Sequence, residues 1–158
     1  MNILGLSFGY HDSAAAILRD GEPVFFGNEE RYSYQKNDSA FPLGAIQAGL
    51  RHTSLTVDDF DAVIYYEDPL LKMDRIGTMA TRFHTAPDRY LRELFPGNWE
   101  RPEKLDPIGM ISKTLNIPAA RVGFVEHHLS HAALSYFLSP FNRAVIITLD
   151  GVGEHETL

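Results

Sequence analysis

The feature that most constrains this chain is its first 28 residues, in which three short apolar runs follow one another with only turn residues between them. Ile3 to Ser7 ends at Gly9, Ala14 to Leu18 follows, and Arg19-Asp20-Gly21-Glu22 is a hairpin turn leading into Pro23 to Asn28. Three consecutive antiparallel strands are expected. Pro42 to His52 carries Leu43, Ile46 and Leu50 at the spacing of one helix face, with Pro42 at an early helical position. Asp61 to Tyr66 reads as a fourth strand. From Asp68 to Leu115 the pattern is helical but interrupted, with Pro87, Pro96, Pro102 and Pro107 as breaks, which predicts several short helices and a mobile stretch around FPGNWERP. Arg121 to Glu126 is another strand and His127 to Phe137 a helix. Ala144 to Leu149 is a nearly continuous apolar run of the kind found at a buried sheet centre.

Strand, strand, strand, helix, strand, helices, strand, helix is the order of an α/β fold built on a ribonuclease-H-like mixed sheet with helices on both faces. Helical connections between the later strands imply parallel neighbours there. A new strand then begins at Ala144, and the polar, glycine-containing DGVGEHETL after it parallels the turn after the opening strand. The expectation is a truncated two-lobed molecule, with residues 1–143 as the first lobe and 144–158 as the first strand and loop of the second. The run AVIITL would then be left as an edge strand, and a homodimer through the exposed lobe face is an expected mode of self-association.

Composition excludes several function classes. The 158 residues contain 21 Asp plus Glu against 14 Lys plus Arg, a net charge of −7, which opposes a binder of nucleic-acid backbone. No apolar stretch approaches the ~20 residues of a membrane span, and MNILGLSFGY lacks the basic segment of a secretory signal, so no membrane role and a cytoplasmic address are expected. With no cysteine, any metal must be held by histidine or by oxygen ligands.

Three of the seven histidines fall within EHHLSHAA, residues 126 to 133. On a helix, His127 and His131 lie four apart on one face while His128 points elsewhere. Two imidazoles at that spacing can hold one ion but do not complete a site, and an exposed helix terminus explains them equally well. Asp150 ends an apolar strand ahead of a Gly-Val-Gly turn. With His127 and His131 it would form a two-histidine, one-carboxylate set suited to iron or another divalent ion, whereas a residue that caps a turn accounts for it alone. In the opening turn Gly9 to Ser13, Ser13 and backbone amides could meet phosphate oxygens, and Asp12 could orient a hydroxyl or a metal-bound water, although turn chemistry also selects these residues. NEERYSYQKND, residues 28 to 38, offers Arg31 and Lys36. Arg31 has the planar fork that grips a small anion, with a solvated polar loop as the plainer account. The aromatics between Tyr65 and Phe95 read as core.

Taken together and in order, GLSFGYHDSAAAIL, EERYSYQKNDSAFPLGAI, VEHHLSHAALSYFLSPF and TLDGVGE resemble the amino-terminal part of the O-carbamoyltransferases, a family that includes nodulation and antibiotic-tailoring enzymes. The first domain of that family is similar to the universal tRNA threonylcarbamoyl-transfer protein and has the lobes of the actin, Hsp70 and sugar kinase superfold. The resemblance implies transfer of a carbamoyl group to the hydroxyl of a small-molecule acceptor. Carbamoyl phosphate and ATP are first joined as carbamoyl adenylate by a carboxyl-terminal domain. It further implies an iron (Fe2+) site to which His127, His131 and Asp150 contribute, with the remaining ligand in the second lobe. His11 or Asp12 is then the candidate base. Gly151 and Gly153 are candidates for the adenylate phosphate, with their amides as donors. This fragment alone would be inactive. The same superfold hosts ATP-dependent kinases and ATPases, and a lobe that kept only a binding role is a further alternative. The histidine pair weighs against a phosphoryl-transfer site built on Mg2+ and carboxylates.

Overall fold

The computed structural model of the protein describes residues 1–82 and 106–150. FPGNWERP, Gly151 and Gly153 lie outside the described residues. The chain divides into two compact units, one of Met1–Tyr65 with Arg101–Gly123 and one of Tyr66–Glu100 with Phe124–Leu158.

The first unit is built on a sheet of order β3-β2-β1-β4-β5, made of β1 (Asn2–Ser7), β2 (Ala14–Arg19), β3 (Glu22–Asn28), β4 (Ala62–Tyr65) and β5 (Val122–Phe124). The first three strands are antiparallel in sequence order and β4 runs parallel to β1, so the sheet is mixed, as the element order requires. The fold is α/β, with the mixed sheet of a ribonuclease-H-like lobe. Asp20 and Gly21 both take positive φ, 55° and 88°, which gives the hairpin the twist that two-residue turns demand. The β2/β3 register slips between Ile17, opposite Phe25, and Leu18, opposite Pro23, leaving Val24 as an extra residue. Pro23 is tolerated because β3 lies at the edge of the sheet.

Alternate strand residues form the core. Leu4, Leu6, Ala15, Ile17, Val63 and Tyr65 are buried, and Phe8, Phe41, Phe60, Ile111 and Ile117 join them. Helix α1 (Glu30–Ser33) is a single turn, and α2 (Leu43–Thr53) packs on β2 and β3. The apolar face expected of α2 is rotated. Leu43 is exposed, and the buried positions are Ala45, Ile46 and Gly49. The cause is the closeness of helix and sheet: a Cβ at Gly49 would stand 2.8 Å from both Ile17 and Phe25, so small residues occupy the line of contact. Pro42 sits just before the helix rather than inside it.

Helix α3 (Pro69–Arg82) and α4 (Pro107–Leu115) bracket the undescribed segment. Pro107 opens a helix instead of breaking one. It is the first residue of α4, where a missing N–H costs nothing, and Asp106 caps that end by accepting from Gly109 N at 2.8 Å. The guanidinium of Arg121 bonds the carbonyls of Val57, Asp58 and Phe60, fastening the entrance of β5 to the turn ahead of β4.

Helix α5 spans His127–Phe137, the bounds its sequence predicts. No residue of α5 is buried. The strand expected at Ala144 to Leu149 is corrected as well. The run has no ladder partner among the described residues, and Val145, Ile147 and Leu149 are exposed. Apolar β-branched residues favour a strand, but a strand exists only where a neighbour supplies its hydrogen bonds. No described helix is long and apolar enough to cross a membrane.

Candidate metal centre

Within the second unit, α5 begins right after β5, and its first turn places His127 and His131 on one face. Asp150 follows the apolar run 144–149. His127 Nε2 lies 2.5 Å from Asp150 Oδ2, His131 Nε2 lies 3.6 Å from the same oxygen, and the two Nε2 atoms are 3.2 Å apart. The rings stand at 89° with centroids 4.6 Å apart, so their nitrogen edges meet without stacking. These residues are the group of potential ligands among the described residues, with donor atoms all within 4.8 Å of one another. The side chain of His127 is 14% exposed, that of Asp150 32% and that of His131 52%, a gradient from a sheltered to an open side.

A proton on His127 Nε2 is donated to Asp150 and can be shared with the Nε2 lone pair of His131; with a cation in place of that proton, all three atoms would become donors to one centre. Two ligands about 2.1 Å from one ion at ordinary coordination angles are roughly 3.0–3.4 Å apart; the two nitrogens, at 3.2 Å, meet that spacing, while the carboxylate oxygen lies closer than this to His127 and farther from His131. By donor type the set suits a divalent ion of the borderline kind that accepts imidazole and carboxylate together.

Tyr66, which follows β4, presents itself edge-on to His127 with ring centroids 5.6 Å apart. Sequence reasoning placed it in the core with Tyr65, and only Tyr65 is there, with its hydroxyl on Phe8 O at 3.1 Å. Next to Tyr66, the carboxylate of Glu67 pairs with Lys72 in a nearly enclosed contact, and Asp68 caps α3 through Leu70 N at 2.8 Å.

The other predicted residues lie in the first unit. His11 Nδ1 is 2.7 Å from Asp12 Oδ2, and Asp12 has a φ of 52°, a conformation more readily adopted by Asp than by most side chains. With its Nδ1–H donated to the carboxylate, the ring keeps Nε2 as the acceptor. Ser13 is fully buried, and its backbone is tied to Asp38 and Glu29. Arg31 and Lys36 line one open concavity with Glu30 and Tyr34.

A buried carboxylate that the sequence reading did not single out is Glu29. Its two oxygens accept from Gly44 N at 3.0 Å and Ala45 N at 2.8 Å, so a residue far from α2 in sequence satisfies the start of that helix. Its sequence signal was a charge at the end of a strand, which solvent explains just as well.

The chain is 36% identical to Uncharacterized protein sll1178 of Synechocystis sp. over 164 aligned positions, 99% of this chain and 26% of that protein. It is 28% identical to Nodulation protein NolNO of Sinorhizobium fredii, over 91% of this chain and 20% of that protein. To Uncharacterized protein MJ1051 of Methanocaldococcus jannaschii it is 25% identical, over 96% of this chain and 22% of that protein. The chain thus spans about a quarter or less of the length of these relatives. The description of the carbamoyltransferase N-terminus matches residues 2–158, and with nearly every residue inside that match the chain belongs to the carbamoyltransferase family.

Proposed function

We propose that this chain supplies the amino-terminal part of an enzyme that moves a carbamoyl group from carbamoyl adenylate, made from carbamoyl phosphate and ATP, to the hydroxyl of a small-molecule acceptor. The observation that supports this most directly is the meeting of His127, His131 and Asp150 in a member of the carbamoyltransferase family. These three side chains would hold Fe2+ or a similar divalent ion, and a ligand from further polypeptide would complete the set. Such an ion, when bound, supplies electrophilic polarisation of a carbonyl oxygen.

The remaining chemistry falls to side chains. Asp12 fixes the His11 tautomer, and His11 Nε2 takes the proton of the acceptor hydroxyl as its oxygen bonds to the carbamoyl carbon. The bond from that carbon to the adenylate phosphate oxygen breaks, AMP leaves, and a carbamate ester remains. Arg31 and Lys36 contribute positive charge for an anionic donor or acceptor. Gly151 and Gly153 offer backbone amides to the phosphate.

Anaerobic equilibrium dialysis against Fe2+ tests the reading at its base. One ion per chain is expected for the wild type and none for His131→Ala or Asp150→Asn; equal uptake by all three would end it. The reaction is tested by presenting carbamoyl adenylate and a panel of hydroxyl acceptors to the chain joined to the remainder of a homologous protein. Mass spectrometry should detect the carbamate ester, and His11→Ala should abolish it.

A further inference from the structure

We infer that Tyr66 is a positioning residue for the metal centre: its ring sets the rotation of the His127 imidazole and so aims Nε2 at the point where His131 and Asp150 meet. The inference rests on the metal reading above. His127 Nε2 is common to the two short contacts of the site, 2.5 Å to Asp150 and 3.2 Å to His131. The orientation of that one ring therefore decides whether three donors converge. A histidine on the first turn of a helix can turn about its outer torsion with little hindrance, since such torsions have broad minima.

Among the described residues of the second unit, three rings bound this freedom. His131 and His128 have centroids 4.6 and 5.8 Å from His127 and belong to the same helix, so they move with it. Tyr66 does not. It meets His127 at 5.6 Å and 64°, the edge-to-face arrangement that aromatic quadrupoles favour. The two residues that follow it are fastened, Glu67 by its sheltered ion pair with Lys72 and Asp68 as the cap of α3. A ring borne by a fastened segment against a ring on a helix is an alignment device, and its place beside the least exposed ligand, His127, suits that work.

The test uses Co2+ as a spectroscopic probe of the 158-residue chain. Wild type should show ligand-field bands that vanish in His131→Ala. Tyr66→Phe, which keeps the ring, should match wild type within about twofold in affinity and retain the band shape. Tyr66→Leu should bind roughly three- to tenfold more weakly, the range that an aromatic pair contact covers, with altered band intensities. Equal affinity and equal bands for Tyr66→Leu would overturn the inference and leave the metal site standing. Absence of bands in the wild type would overturn both. A measurement that needs no substitution is the nuclear Overhauser contact between the Tyr66 ring and the carbon-bound His127 protons. Its presence is expected, and its absence from the folded wild type overturns the positioning role even where Tyr66→Leu does not fold.

Discussion

The two units of this chain bury their side chains in different ways. The sheet unit encloses Leu4, Phe8, Ile17, Phe60, Val63, Tyr65 and Ile111 at 1% exposure or less, whereas the described part of the histidine-bearing unit buries no apolar residue and leaves Leu134, Phe137, Phe141 and Ile147 in the open. Its enclosed groups are polar: Glu67 with Lys72, and His127 beside Asp150. One unit is held by the hydrophobic effect and the other, as described, by hydrogen bonds and charge, so their responses to substitution and to metal should separate.

The largest difference is expected from truncation. Leu4→Ala should cost about 3 kcal/mol in urea unfolding, because a cavity opens where nothing collapses to fill it. Leu134→Ala should stay within roughly 0.5 kcal/mol. Comparable losses at both positions would erase the contrast.

Gly44 and Glu29 sharpen it at close range. A Cβ at Gly44 would stand 2.5 Å from Tyr32 Cβ and 2.9 Å from a Glu29 oxygen, so Gly44→Ala should destabilise the sheet unit by about 1–3 kcal/mol. Glu29→Ala should cost about 1–2 kcal/mol through the amides of Gly44 and Ala45 that it leaves without their acceptor.

Metal should act on the other unit alone. An ion present at about 100 times its dissociation constant adds about 2.7 kcal/mol to whatever state holds the ligands. Hydrogen exchange should therefore slow in residues 127–137 on addition of Zn2+ or Fe2+, and not in β1 or β2. Uniform slowing would mean that the two units open together.

The sequence resolved these regions unequally for the same reason. Alternation along β1, β2 and β4, the Asp20-Gly21 turn and the four-residue spacing of His127 and His131 are local codes, and each element formed where its residues placed it. What stayed hidden depends on partners distant in sequence. Glu29 looks like any surface carboxylate until α2 arrives above it. Tyr66 resembles its neighbour Tyr65 until His127 comes alongside, and AVIITL carries every propensity of a strand but, among the described residues, none of its hydrogen-bonding neighbours. The small-residue face of α2 was hidden too, because amphipathicity marks the apolar side of a helix and not how closely it approaches the sheet.

The smallest effect is that of pH, and it belongs to the sheet unit. Asp38 is held below the usual carboxylate range by the hydroxyl of Ser33 and the N–H of Ala40, and Asp59 by the N–H and hydroxyl of Thr56. Asp20 is lowered by its bond to the terminal ammonium of Met1, which is raised in turn. For the three carboxyls the unfolded chain binds protons first on acidification. Their contribution is thus complete above about pH 4 and fades as pH falls through the folded values. For Met1 the sign reverses: its contribution is present at neutral pH and lost as pH rises through the raised value. All four groups face solvent, so carbon NMR titration of the individual carboxyls will resolve the shifts better than bulk unfolding, and an Asp59 titrating at the unperturbed value would contradict the turn geometry.

The slip at Val24 reaches beyond the hairpin that contains it. A regular outer strand offers incoming chains a continuous row of amides and carbonyls, but on β3 that row is broken by the extra residue and by Pro23, which has no amide hydrogen. At the opposite border β5 is only three residues long, too brief to template a newcomer. Fibrillar growth by strand recruitment is thus discouraged at both margins of the sheet. Among the described residues, a long series of uncovered apolar side chains lies between Leu134 and Leu149, where a detergent or a soluble partner, rather than a redesigned sheet, would be the remedy for precipitation.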